Sequence, residues 1–111
     1  MKQFKFSVGI DVENINRFKN LDNKIITRVL TANEYEQFLK TEKELHPKFI
    51  ATHWVLKEAV YKAISEFHKI FFLKIEFMKK NNKYICTNFK NVKVSIAYSG
   101  DFIFGFAVYI K

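Results

Sequence analysis

Apolar positions recur along this chain with two different periods, and the change of period divides it. An opening stretch, residues 4–12 (FKFSVGIDV), reads as a short apolar strand with an acid, Asp11, at its end. Residues 13–18 (ENINRF) turn Ile15 and Phe18 inward and Arg17 outward, predicting a short amphipathic helix that ends near Asn20. The segment at 24–30 (KIITRVL) leads into Thr31 and Glu34, an S/T-x-x-E capping box, so a further helix should begin at Ala32 and run to about Lys40 with Tyr35, Phe38 and Leu39 on its apolar face. A charged break at 41–47 ends in Pro47, a residue suited to the first turn of a helix. A long helix follows over roughly 47–66, ~30 Å at 1.5 Å per residue, with an apolar stripe at Phe49, Leu56, Val60, Ala63 and Phe67. From Ile70 onward the period is two. Strands are predicted at 71–77, 84–88, 92–98 and 102–110, separated by turns at Asn81 and Asn82, at 88–91 and at 99–101. The whole predicts an α+β fold: an N-terminal strand and helices, and one long central helix packed on an antiparallel C-terminal sheet.

Candidate chemistry concentrates on the long helix at 52–65 (THWVLKEAVYKAIS), where Glu58 and Lys62 stand four residues apart beside the apolar stripe. As an exposed pair they would contribute only ~0.2 to 0.5 kcal/mol to the helix. Asp11 changes that picture. A carboxylate just past Gly9 at a strand end can reach across to a helix, and Asp11 with Glu58 could together hold a hard, oxygen-seeking cation. Mg²⁺ suits such a pair, because it takes one or two carboxylates and completes its octahedron with water and substrate phosphate. Asp11 also reads as the N-cap of the helix that follows, and both roles can coexist.

Length and composition narrow the classes. At 111 residues with three Gly and one Pro, the chain predicts a single domain, 1–111, without linkers or low-complexity segments, and thirteen Phe with five Tyr make its core aromatic. No apolar run approaches the ~18 to 20 residues of a membrane span and the N-terminus lacks a signal-peptide pattern, so a cytoplasmic location is expected. The lone Cys86 fits a reducing compartment and a core or strand position. His46, His53 and His68 lack zinc spacing, His53 reading instead as an interfacial or phosphate-contacting side chain. Neither GxxxxGK[ST] nor GxGxxG occurs, and Ser95 lacks the glycines of a nucleophile elbow. A formal charge of +8 predicts attraction to polyanions, whether nucleic acid, an acidic protein or a phosphate-rich small molecule.

Four stretches in order, GIDVENINRF at 9–18, TRVLTANE at 27–34, FIATHWVLKEAVYKAI at 49–64 and VKVSIAYSGDFIFGFAV at 92–108, resemble the holo-acyl-carrier-protein synthases of the 4′-phosphopantetheinyl transferase superfamily. The resemblance spans nearly the entire chain, and its specificity lies in the combination of G-x-D near the start with W-x-x-K-E-A-x-x-K-A on the central helix. It implies transfer of the 4′-phosphopantetheine arm of coenzyme A to a serine of acyl carrier protein, with release of adenosine 3′,5′-bisphosphate. It also implies Asp11 and Glu58 as Mg²⁺ ligands, Lys62 neutralising phosphate charge, and Glu58 or a water taking the serine proton. Arg17 and Arg28 become candidates for docking the acidic carrier, and a homotrimer with sites between protomers is expected.

The chain departs from the family pattern where the 3′-phosphate of coenzyme A is held. His53 stands in place of the usual arginine and Tyr98 in place of the usual histidine, which predicts weaker discrimination of coenzyme A from its dephospho form. A glycine-rich turn after the long helix is replaced by Ser65, Glu66, Phe67 and His68, and Lys43, Lys48, Lys57 and Lys69 are the cations available to compensate. Two other readings belong beside the transferase. A degenerate member would bind the carrier without turning over. A basic nucleic-acid module would stack bases on aromatic strands, although acidic residues interrupt every basic run and most aromatics alternate at core positions.

Overall fold

A computed structural model describes residues 5–111; Phe4, within the predicted first strand, lies outside the described residues. Strand β1 (Phe6–Asn14) runs two residues beyond its predicted end and passes into a 3₁₀ turn at Ile15–Phe18 rather than an α-helix. The cap of that turn is Asn14, whose side chain accepts from the Asn16 amide at 2.9 Å, so Asp11 is a strand residue and not a cap. Residues rich in β-branched side chains then form α1 (Asn23–Val29), capped by Asp22 and held by burial of Ile26 and Val29, an instance of packing overriding helix propensity. Helix α2 (Ala32–Leu39) begins with the predicted Thr31–Glu34 capping box.

Helix α3 (His46–Ile64) carries Pro47 in its first turn. Leu56, Val60 and Ala63 of the predicted stripe are buried and Phe49 and Phe67 are half-buried. Eleven of its nineteen residues are buried, so packing surrounds it well beyond a single stripe. Its N-terminal half (Ile50, Ala51, Val55) joins Phe18, Ile26, Val29, Leu30, Phe38 and Ile103 in one core cluster. Its C-terminal half (Leu56, Ala59, Val60, Ala63, Ile64) joins Ile75, Phe77, Cys86, Val92 and Ala107 in another.

The C-terminal part is antiparallel throughout but forms two sheets rather than one meander. Strands β2 (Phe77–Lys80) and β3 (Lys83–Cys86) make a two-stranded ribbon closed by Asn81 and Asn82, both with positive φ, as a two-residue type I′ turn requires. Strands β4 (Val92–Ser99) and β5 (Phe102–Ile110) pair through a turn at Gly100 (φ 58°), and β1 adds to the other edge of β5, giving the order β1-β5-β4. The predicted strand at 71–77 is mostly a 3₁₀ turn at Phe72–Lys74; Phe71 and Leu73 are exposed, and the chain enters β2 only at Phe77. The predicted hairpin turn at 88–91 instead links the two sheets. Asn88 donates to the Lys74 carbonyl and accepts from the Glu76 amide at 3.2 Å, so it ties down the connection before β2.

The three-stranded sheet packs on α3 in an unusual sense. The alternation of β1 turns Ser7, Gly9, Asp11 and Glu13 toward the helix and leaves Phe6, Val8, Ile10 and Val12 exposed. Register pairs Val12 with Phe104 and Ile10 with Phe106, and both phenylalanines are exposed with Phe102 and Ile110. The polar side of the strand thus faces the protein and its apolar side faces outward.

Candidate active site

The inverted strand brings Asp11 to α3. Gly9 lies against the helix so closely that a Cβ there would fall 1.9 Å from the Ala59 carbonyl oxygen, and Ser7 donates its hydroxyl to the Ala63 carbonyl. With β1 and α3 seated backbone to backbone, Asp11 comes beside the Glu58–Lys62 edge of the helix. Lys62 Nζ donates to the Ile10 carbonyl at 2.9 Å and to Asp11 Oδ1 at 3.4 Å, so its ammonium serves the strand instead of forming a simple pair with Glu58. Burial and the charge of Asp11 raise the Glu58 pKa above its ordinary 4.5; Lys62 opposes the rise and Glu13 adds to it. Asp11 Oδ2 is buried and, among the described residues, has no hydrogen-bond partner.

Two carboxylates that repel each other, one with a buried oxygen lacking a donor, make a place that a cation would relieve. Among the described residues no group of three or more His, Cys, Asp and Glu could hold a metal. An ion here would therefore take two carboxylates and fill its remaining positions from outside the chain, a donor set that fits Mg²⁺ or Mn²⁺.

The other predicted binding residues gather elsewhere. His53 is five residues before Glu58, which turns it about 140° around the helix and moves it ~7.5 Å along the axis. It lines a cleft of about 520 Å³ with Lys48, Thr52, Lys79, Tyr84 and Tyr98. The His53 ring is buried, stacked on Phe49 at 4.4 Å, and its Nδ1 donates to Glu34 Oε2 at 3.1 Å. Tyr98 faces the same cleft: its hydroxyl lies 3.3 Å from Thr52 Oγ1 and the Lys48 ammonium sits 4.5 Å from its ring centroid. Across from it, burial and Tyr98 push the Tyr84 phenol up to about 12, so it remains a neutral donor. Of the four lysines offered as compensating cations, only Lys48 lines this cleft. Lys57 is fully buried, donating to the Val29 carbonyl at 2.6 Å and to Glu34, while Lys43 borders a separate hollow beside Pro47.

Glu34, read from the sequence only as a capping residue, is the hub of this interior. Its carboxylate accepts from the Thr31 amide at 2.9 Å, the Phe77 amide at 2.8 Å, His53 and Lys57. Burial works to raise its pKa, but the His53 hydrogen bond and charge, joined by Lys57, outweigh that and hold it below 4.5. Lys79 and Tyr84 of the cleft carried no sequence signal, since they reach it from the β2–β3 ribbon. Arg28, in the last turn of α1, is exposed, and so is Arg17, which pairs with Glu13.

The sequence and the fold match a known family. A family model described as the 4′-phosphopantetheinyl transferase superfamily matches residues 7–107. A holo-[acyl-carrier-protein] synthase of Mycoplasma mobile is 39% identical over 101 residues, covering 91% of this chain and 86% of its own. One from Mycoplasma genitalium is 38% identical over 95 residues, covering 83% and 82%. The crystal structure of a holo-(acyl-carrier-protein) synthase from Bacillus anthracis, in complex with CoA (3′,5′-ADP), superimposes with a TM-score of 0.77 at 27% identity, covering 94% of this chain and 95% of that one. The chain belongs to the 4′-phosphopantetheinyl transferase superfamily and, within it, to the holo-[acyl-carrier-protein] synthases, a family of enzymes.

Proposed function

We propose that residues 1–111 act as one transferase domain that moves the 4′-phosphopantetheine arm of coenzyme A to a serine of an acyl carrier protein in the cytoplasm, releasing adenosine 3′,5′-bisphosphate. The observation that carries this reading is the buried oxygen of Asp11, without a donor among the described residues, beside Glu58 and Lys62 in a chain of this superfamily. Asp11 and Glu58 would hold Mg²⁺ or Mn²⁺, an ion that would supply positive charge to the diphosphate of coenzyme A as the P–O bond between its two phosphates breaks, one phosphate leaving with the arm for the serine oxygen and the other staying on the nucleotide. Glu58, with its raised pKa, is suited to accept the proton of the carrier's serine at neutral pH. Lys62, anchored on the Ile10 carbonyl, sets a fixed positive charge where the diphosphate must lie. Lys48, His53 and Tyr98 would receive the nucleotide end of coenzyme A, with Lys48 and Lys79 as cations in a cleft whose lining includes no arginine. That cleft lies off the Glu58 edge of α3, and the exposed apolar face of β1 and β5 supports a homotrimer in which neighbouring protomers complete each site. Arg17 and Arg28 offer exposed positive charge to an acidic carrier. Among the described residues no helix is long and apolar enough to cross a membrane.

Incubation with coenzyme A, Mg²⁺ and an apo carrier protein is expected to add the arm to the carrier's serine, read by intact mass spectrometry of the carrier. Failure to modify any cognate carrier under any metal condition overturns the reading. Glu58→Ala should retain carrier affinity and lose turnover; a natural chain that binds carrier yet never modifies it is a binder alone.

A further inference from the structure

Because β1 extends through Asn14, Glu13 falls on the same helix-facing side as Asp11. Its side chain is only 13% exposed, and its carboxylate is ion-paired with Arg17, whose side chain is 66% exposed. The charge of Glu13 also reaches Glu58. A third negative charge thus borders the Asp11–Glu58 pair, and its counter-ion is a guanidinium open to anything that docks. The guanidinium end of this pair lies in solvent, where a carboxylate-rich partner surface can compete for it.

We propose that Arg17 is a removable counter-ion of Glu13: while paired it mutes the Glu13 charge, and when an acidic partner takes it up, that charge is released to strengthen divalent-ion binding at Asp11 and Glu58. Glu13 is then a positioning residue, acting on the ion's site through its field. The coupling is reciprocal, so ion loading also favours docking of the acidic partner. The inference rests on the reading of Asp11 and Glu58 as divalent-ion ligands.

The test is a Mn²⁺ titration of the full chain at low ionic strength, without coenzyme A or carrier, following the electron paramagnetic resonance signal of free Mn²⁺. Arg17→Gln, which imitates the drawn-off state, is expected to bind Mn²⁺ roughly three- to tenfold tighter than the natural chain. Arg17→Lys keeps the charge and should stay within about twofold of it. In a Glu13→Gln background, Arg17→Gln should change nothing. Equal tightening with and without Glu13, or no tightening at all, overturns the coupling. Asp11→Asn separates the two failures. If it leaves Mn²⁺ affinity unchanged, the ion-site reading falls and the coupling with it; if it abolishes binding while Arg17→Gln has no effect, the coupling alone falls.

Discussion

Glu58 is held where burial and the negative charges of Asp11 and Glu13 disfavour its ionised form, with Lys62 opposing them. A carboxyl whose folded pKa lies above its unfolded value binds more protons in the native state across the window between the two. Stability therefore falls as pH rises from 4.5 through the raised value, and at neutral pH the ionised group is a net cost to the fold. Glu58→Gln is accordingly expected to stabilise the protein by on the order of 0.5 kcal/mol in denaturant titration at pH 7, while lowering kcat by about 10² to 10⁴-fold. The same variant should lose the acidic limb of the pH–rate profile. Glu34 behaves with the opposite sign: its depressed pKa contributes stability above 4.5 that is lost as pH falls through the folded value. One carboxylate is held in its place at a cost to the fold, and the other supports the fold.

Among the elements, α3 was the most legible in sequence, because its apolar spacing, Pro47 and the capping box upstream all point the same way. The strand predicted at 71–77 was not, since Phe71, Leu73 and Ile75 alternate as a strand would while the chain is turning toward β2. Lys57 and Glu34 hid for a different reason: charges in a helix read as solvated, and nothing local reveals that two from separate helices will meet in the interior. That meeting has a measurable weight. Lys57→Met should leave the Glu34 carboxylate buried without its ammonium and cost about 3 to 5 kcal/mol, whereas adding Glu34→Gln should recover part of the loss. The seat of β1 on α3 is equally exacting. Gly9→Ala forces a methyl into the Ala59 carbonyl and is expected to cost about 3 kcal/mol or more, with divalent affinity falling as Asp11 moves away. Thermal melts and Mn²⁺ titration of that variant check both parts.

For the whole molecule the telling feature is the sheet face bearing Val8, Ile10, Val12, Phe104 and Phe106, all exposed on the chain alone. Alternation in β1 and β5 was visible in the sequence, but which side faced α3 was not, because the eye assigns the oily side inward and here Ser7, Gly9 and Asp11 hold that place. If copies of the chain associate through this face, as proposed, Phe104→Glu is expected to leave single chains in sedimentation analysis with helix content unchanged. If each reaction centre needs a neighbour to finish it, the number of working centres depends on how many chains meet. Activity per milligram should then fall as the preparation is thinned and return as it is concentrated, so that abundance in the cell acts as a switch with no effector molecule at all.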